Sequence, residues 1–135
     1  MSEEYQIEDD LYYTEEHEWA RKLKDGTVAV GISDYAQKQL HEIVYVELPE
    51  VGSEFGQMES IGAVESVKAV TDMFTPISGT VVEVNDSLID SPEQLNEDPY
   101  GEGWIAKIEP KNLEADLAKL MDADAYREFL AAQEH

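Results

Sequence analysis

The chain has 135 residues, no cysteine, and 31 Asp and Glu residues against nine Lys and Arg, which gives a formal net charge of −22 at pH 7. This length predicts a single domain with its own core, and the absence of cysteine excludes disulfides, thiol nucleophiles and cysteine-bound zinc. A surface with this much negative charge repels nucleic acid and anionic lipid, so both are disfavoured as partners. The same excess of acids motivates the hypothesis that the protein is adapted to high salt, which screens the repulsion between its own charges.

The first 13 residues, "MSEEYQIEDDLYY", form an acidic leader without strand or helix periodicity. We expect this leader to be loose or only partly docked on a single domain of residues 14–135. It lacks the basic and apolar regions of a targeting peptide, and no apolar run approaches the ~20 residues that cross a bilayer. We therefore expect a cytoplasmic protein.

Short strands separated by turn signals make up most of the chain. A hairpin is predicted over 17–32 around the turn "KDGT", and Ser33 is predicted to cap a helix over 34–40. Further strands are predicted over 42–48, 59–67, 69–75, 80–85 and 104–110, and 90–103 is predicted to be a loop with one helical turn after Pro92.

The tail changes to helical spacing. Leu113, Leu117 and Leu120 predict a helix over 113–120, and a second helix is predicted over 123–133, so that two helices occupy about 113–133. Many short strands with regular turns, followed by helices, predict a mainly β sandwich or barrel with peripheral short helices.

No local motif predicts an active site or a metal centre. His17, His41 and His135 are far apart in the sequence, and the chain has no metalloprotease, EF-hand or nucleophile-elbow pattern. Pairs of carboxylates occur at many spacings by chance among 31 acids. We therefore predict no catalytic residue and no metal ligand.

Lys68 is the residue that calls for a function. It lies where the extended segments 59–67 and 69–75 meet, in the otherwise uncharged run "SVKAV". A lysine at a hairpin tip extends from the body on a long stem, and its amine can be acylated. Against this stands the ordinary role of an exposed lysine, which is to discourage edge-to-edge aggregation. The spacing alone does not decide between the two.

The stretch "GAVESVKA" at 62–69 resembles the lipoyl-lysine signature of the glycine cleavage system H-protein family. The resemblance extends in order through "YTEEHEW" (13–19), "DGTVAVGISDYAQ" (25–37), "IVYVELPEVG" (43–52), "TPISG" (75–79), "DPYGEGW" (98–104) and "LMDADAYREFL" (120–130). It thus covers nearly the whole chain.

The resemblance implies a carrier, not an enzyme, with a barrel-sandwich hybrid fold and lipoic acid in amide linkage to Lys68. Such a carrier would receive an aminomethyl group from glycine at a pyridoxal-phosphate glycine decarboxylase and pass one carbon to tetrahydrofolate at an aminomethyltransferase. A dihydrolipoyl dehydrogenase would reoxidise the arm. A lipoylating enzyme is a fourth implied partner, and we expect a monomer.

The matching motifs also suggest roles for other residues. Glu65, Val67 and Ala69 flank the lysine and are expected to be read by the lipoylating enzyme. Glu18, Asp72 and His17 are expected in a cleft that docks the loaded arm, where carboxylates would favour its ammonium group. Gly62 and Gly79 are expected to serve backbone geometry.

The sequence departs from the family pattern at two of these motifs. His41 stands where glycine is common, which is expected to alter the end of the preceding helix. Glu16 stands before "HEW", where a small polar residue is often seen, and its charge is expected to change arm docking.

Other readings stay open at the level of sequence. A lipoyl domain of a 2-oxo-acid dehydrogenase and a biotinyl carrier share the lysine-at-hairpin design, although biotinyl carriers usually flank the lysine with methionines. An H-like protein that relays lipoyl groups to other enzymes carries the same motifs. An acidic hydrolase or cation-binding protein using Glu18 and Asp72 is a rival from a different class.

Overall fold

The computed structural model describes residues 5–133 and shows two antiparallel β-sheets with short helices outside them. The strands are β1 Tyr12–Tyr13, β2 Glu18–Lys22, β3 Val28–Ile32, β4 Ile43–Glu47, β5 Glu54–Phe55, β6 Ser60–Ser66, β7 Val70–Phe74, β8 Gly79–Val84 and β9 Ala106–Pro110. The helices are α1 Asp34–Leu40, α2 Ser87–Asp90, α3 Gln94–Glu97, α4 Leu113–Leu117 and α5 Ala123–Gln133.

Six strands form one sheet in the order β1-β2-β3-β9-β8-β5, and three form the other in the order β4-β6-β7. Within the described residues the two sheets do not close into a continuous barrel. The mainly β architecture with peripheral helices, predicted from the sequence, is confirmed.

The predicted hairpin and helix near the N-terminus are confirmed with their turn chemistry. Gly26 has φ +93° in the turn between β2 and β3, a conformation that suits glycine. The Ser33 hydroxyl accepts a hydrogen bond from the backbone N–H of Ala36, 3.2 Å away, and caps α1. Every residue of β3 is buried, so this strand runs through the core.

The main core lies between the two sheets and is made of aliphatic side chains. Val30, Val46, Val64, Ile77 and Ile108 are each at most 2 % exposed. They come from both sheets, so their burial couples the lysine-bearing sheet to the larger one. Burial of each such side chain contributes roughly 1.5–3 kcal/mol.

A second, aromatic cluster lies between α5 and the start of the chain. The rings of Tyr13 and Tyr126 stack with centroids 4.2 Å apart, and Trp19 is fully buried beside them. Leu11 belongs to the same cluster, and the backbone N–H of Gln6 donates to Asp34. Residues 5–13 of the predicted leader therefore pack on the body; residues 1–4, and His135 at the other end, lie outside the described residues.

The structure differs from the predicted secondary structure at its shortest elements and at some element ends. β1, β5 and α2 were not predicted, because two-residue strands and a one-turn helix are too short to show a period. The predicted helix 113–120 ends at Leu117, and a turn follows it. The predicted strand 104–110 begins at Ala106.

Gly62 and Gly79 serve backbone geometry, as expected. A Cβ atom on Gly62 would overlap the carbonyl oxygen of Glu47 on the neighbouring strand, and one on Gly79 would overlap that of Glu109. Each glycine thus lets two strands approach closely.

His41 ends α1 in a strained conformation, which explains why a glycine suits this position. Its φ is +66° and its ψ −146°, while its N–H donates to the carbonyl of Gln37. A side chain in this region of φ and ψ costs on the order of 1–3 kcal/mol.

We expect His41→Gly to stabilise the protein by about 1 kcal/mol, because the relieved strain exceeds the added freedom of the unfolded chain. Urea unfolding measures the change. His41→Ala is the matched control: it removes the exposed imidazole but keeps the Cβ, so its stability should stay near that of the wild type. Equal stabilisation by both substitutions would contradict the strain.

Candidate functional site

Lys68 lies in the two-residue loop that joins β6 to β7. Glu65 pairs with Val70, and the N–H of Ser66 donates to the carbonyl of Ala69 at 2.8 Å. This pairing leaves Val67 and Lys68 alone at the tip. Both are exposed, so the lysine amine is free to meet another protein.

The loop is tight without glycine because Ser66 holds it from inside. Its buried hydroxyl accepts hydrogen bonds from the N–H groups of Lys68, at 3.2 Å, and Ala69, at 3.1 Å. Neither Val67 nor Lys68 has a positive φ, so the loop is not one of the primed turns that require Asn-Gly or Asp-Gly. The serine hydroxyl takes the place of that turn chemistry.

A second hydrogen bond fixes the tip to the neighbouring strand. The N–H of Val67 donates to the carbonyl of Glu42, 3.1 Å away, just before β4 begins. The backbone under Lys68 is thus bonded on two sides. The residues expected to be read by a lipoylating enzyme, Glu65 and Ala69, are exposed beside it.

Glu18 is a buried carboxyl that joins the two sheets. It is 4 % exposed; its Oε1 accepts from the Thr14 hydroxyl and its Oε2 from the N–H of Phe74, 3.2 Å away at the end of β7. Burial raises the pKa of the Glu18 carboxyl from 4.5 to about 7. It therefore titrates near neutral pH, at the end of β7, the strand that follows the lysine.

His17 is packed among aromatic rings. Its ring lies 4.4 Å from that of Tyr35, and its Nδ1 shares a hydrogen bond of 2.9 Å with the Tyr126 hydroxyl. Burial lowers the pKa of His17 to about 4, so the ring is neutral at physiological pH. These contacts are with helices α1 and α5, and its role in an arm-docking cleft stays a prediction.

Asp72 is exposed on β7, opposite Ala63 of β6. Within residues 5–133 it makes no side-chain hydrogen bond or ion pair, so the structure does not join it directly to Glu18. Glu18, a residue of β2, instead bonds to Phe74 of β7, two residues beyond Asp72. The grouping of Glu18, Asp72 and His17 as one cleft stays a prediction.

Two parts of this site were missed from the sequence. Ser66 and Thr14 act through hydroxyls that bond to backbone or to a neighbouring side chain. For Ser66 a signal was available, since a serine two residues before Lys68 is placed for a serine turn. Thr14 had no such signal, because its role depends on the burial of Glu18.

An exposed lysine on a serine-held hairpin, carried by a small sheet packed on a larger one, is the arrangement expected of a carrier domain. The family model for the glycine cleavage H-protein matches residues 11–133. A probable glycine cleavage system H protein from Pyrococcus abyssi is 62 % identical over 127 residues, 94 % of each chain. One from Anaeromyxobacter sp. strain K is 57 % identical over 129 residues, 96 % of this chain and 99 % of that one.

A solved structure gives the same answer. The crystal structure of a glycine cleavage system H protein from Mycobacterium marinum has a TM-score of 0.83 at 37 % identity, and it covers 96 % of this chain and 100 % of that one. The chain belongs to the glycine cleavage H-protein family. It is a lipoyl carrier of the glycine cleavage system and not a catalyst, and the family carries its lipoyl group covalently on a lysine.

Among residues 5–133, no helix combines the length and apolar character that crossing a bilayer requires. In the same residues, no three His, Asp or Glu side chains are grouped to hold a metal ion.

Ser66→Ala tests whether the Ser66 hydroxyl stabilises the loop that carries Lys68. Removing the hydroxyl leaves two backbone N–H groups without their acceptor, so we expect a loss of about 1 kcal/mol in unfolding free energy. Amide hydrogen exchange at Lys68 and Ala69 should become faster. The matched control is Ser60→Ala, at the far end of β6, which should leave exchange at the loop unchanged. Unaltered exchange in Ser66→Ala would contradict the assigned role.

Glu18→Gln tests the buried carboxyl through the pH dependence of stability. Because the pKa in the folded state, about 7, exceeds the unfolded value of 4.5, the folded protein holds a proton that the unfolded chain has lost between these values. The contribution of Glu18 to stability is therefore full below pH 4.5 and lost as pH rises through 7. His17 contributes in the opposite sense, since its stabilisation is full above 6.5 and lost as pH falls through 4.

We expect the stability of Glu18→Gln relative to wild type to improve between about pH 5 and about pH 8 by on the order of 2 kcal/mol. Urea unfolding at the two pH values measures it, and His17 cancels because both proteins contain it. Glu15→Gln, which removes an exposed carboxylate nearby, controls for the change in net charge. A difference that does not vary with pH would show that Glu18 ionises freely.

Proposed function

We propose that Lys68 is the lysine that bears the lipoyl group. The observation that carries this proposal is the exposed amine at a two-residue loop whose backbone is bonded to Ser66 and Glu42. The body holds the loop still, and the side chain is free to be acylated. Residues 14–135 would form the carrier domain, with residues 1–13 as its leader.

Acylation at Lys68 follows from the chemistry of the amine. The Nζ atom attacks the carbonyl carbon of an activated lipoyl ester or anhydride, an amide bond forms, the leaving group departs with the electron pair of the broken bond, and a proton passes to water. The positive charge at the tip is thereby lost. Glu65, Val67 and Ala69 are exposed and lie within three residues of Lys68 in the sequence, which supports their role in recognition by the lipoylating enzyme.

The partners follow from the chemistry of the arm. When bound, the dithiolane supplies a disulfide that accepts an aminomethyl group and two electrons. We propose that the arm visits a pyridoxal-phosphate glycine decarboxylase, a tetrahydrofolate-dependent aminomethyltransferase and a dihydrolipoyl dehydrogenase. A monomer suits a carrier that must present one hairpin to several enzymes, and we place this work in the cytoplasm.

Glu18, Asp72 and His17 are proposed to dock the loaded arm. Glu18 supports this because its carboxyl lies at the end of β7 and is poised near neutral pH, so that an ammonium group brought beside it would favour the ionised form. Asp72 supports it as an exposed carboxylate on β7. His17 would act as the packed neighbour that fixes the turn before Glu18.

Lys68→Arg tests the attachment site. Arginine keeps the charge and the length but is not acylated, so we expect the variant to fold normally and to lose glycine-dependent carbon dioxide exchange with a glycine decarboxylase to the level measured without carrier. Lys24→Arg, in the exposed turn before β3, is the matched control and should exchange like the wild type. Full exchange by Lys68→Arg would refute the proposal.

A further inference from the structure

On the outer face of the three-stranded sheet, a β-bulge turns the aromatic side chain of Tyr45 outward beside the lysine hairpin. The register of β4 on β6 shifts between Ile43 and Tyr45: Ile43 pairs with Ser66 and Tyr45 with the adjacent Glu65. Val44 is therefore an extra residue on β4, which is a β-bulge. Ile43 and Val46 are buried, whereas Val44 is 45 % and Tyr45 51 % exposed.

Without the slip, strand alternation would turn Tyr45 to the same face as Ile43, into the core. The bulge instead aims the ring at solvent, and bulges of this kind re-aim side chains next to functional sites. Within residues 5–133 the Tyr45 hydroxyl makes no hydrogen bond and its ring meets no other ring, so the body of the protein does not account for the position of this side chain.

Tyr45 belongs to a row that leads to the hairpin tip. It pairs with Glu65, and Glu65 pairs with Val70, which is 67 % exposed. The next outward row is Glu47, Ala63 and Asp72. With strands about 4.8 Å apart and a rise of about 3.3 Å per residue, Tyr45 lies within roughly 10 Å of the backbone of Lys68.

The charges on this face are all of one sign. The acidic residues of the three strands are Glu47, Glu65 and Asp72, and these strands contain no Lys or Arg. Among the described residues these three acids take part in no ion pair. Glu65 lies between Tyr45 and Val70, so apolar and acidic side chains alternate across this face, which fits a partner surface with an apolar pocket beside Lys or Arg.

We propose that Tyr45, Val70 and the carboxylates of Glu47, Glu65 and Asp72 form the docking surface for the enzyme that acylates Lys68. That enzyme must bring its active site to the amine of a lysine that does not yet carry a lipoyl arm, so its surface covers the residues around the tip. Enzymes that act on the far end of a long arm are not held to this distance. The Tyr45 ring enters an apolar pocket of the acylating enzyme, and basic residues of that enzyme meet the three carboxylates. This inference rests on the proposed acylation of Lys68.

The test measures KM and kcat for acylation of the unmodified protein by a lipoate–protein ligase with lipoate and ATP. Loss of a buried aromatic anchor raises KM, so we expect Tyr45→Thr to raise KM about tenfold and Val70→Thr about threefold, with kcat within about twofold of wild type. Tyr45→Phe keeps the ring and should retain the wild-type KM. The matched control is Val82→Thr, the same substitution as Val70→Thr at a residue of the other sheet that is 40 % exposed.

Salt provides the second measurement. Raising potassium chloride from roughly 0.05 M to roughly 0.5 M should raise the wild-type KM, and the triple variant Glu47→Gln, Glu65→Gln, Asp72→Gln should lose most of that dependence. Circular dichroism and thermal unfolding of each variant separate a docking defect from a folding defect. A folded Tyr45→Thr variant whose KM is unchanged, or is no higher than that of Val82→Thr, would overturn the docking surface.

The outcomes separate this inference from the function on which it rests. If Lys68 is acylated equally well in all variants, the docking surface is refuted and the attachment site stands. If Tyr45→Thr is acylated normally but exchanges carbon dioxide poorly with the decarboxylase, the surface serves a different partner and the inference is also refuted. If the wild type itself gains no lipoyl group on Lys68, both fail together.

Discussion

The pairing of β6 with β7 is the constraint on which the site depends. Glu65 lies opposite Val70, and the bond from Ser66 to Ala69 closes the pair, so two residues are left to make the turn. One of them is Lys68. The sheet cannot slip by one residue without turning Val64 and Met73, both buried, out of the core, so the packing between the sheets fixes which residue stands at the tip. The position of the amine is therefore set by the hydrophobic core beneath it.

Rigidity of the loop and freedom of the side chain serve the same end. A carrier gains nothing from a mobile backbone at the attachment point, because partners must find the lysine in one place. The Ser66 hydroxyl and the carbonyl of Glu42 supply that order. The exposed lysine stem supplies the reach.

Burial of two successive titratable groups, His17 and Glu18, carries a cost in stability. Glu18 is held with a raised pKa and His17 with a lowered pKa, and each opposes its own charged form by desolvation. Hydrogen bonds to Thr14, Phe74 and Tyr126 offset part of that cost. Proteins keep such groups at functional sites more often than elsewhere, and the Glu18 carboxyl accepts a hydrogen bond from Phe74, at the end of the strand that leaves the lysine hairpin.

Much of the fold could be predicted from the sequence, because its strands alternate and its turns carry specific residues. The β2–β3 hairpin followed from "KDGT", and the helix α1 followed from Ser33. The elements of two to four residues had no period to reveal them. The bulge at Tyr45 was also beyond the sequence, because a run such as "IVYVE" fits either register, and only the buried Ile43 and Val46 show which side chains turn outward.

The site divides in the same way. Lys68 could be found from its place between two extended segments and from its motif, since both are local. The burial of Glu18 against Phe74 could not, because these residues are 56 positions apart and meet only through the packing of the two sheets. The acidic character of the chain was evident at once, but its relation to high salt stays a prediction.

The most direct test of the central claim is the mass of the intact protein after coexpression with a lipoylating enzyme in medium that contains lipoate. Peptide fragmentation then assigns the modified residue. The account predicts one lipoyl group per chain, on Lys68, with every other lysine unmodified. A chain that stays unmodified while a control carrier in the same cells is lipoylated, or one that is lipoylated at another lysine, would contradict it.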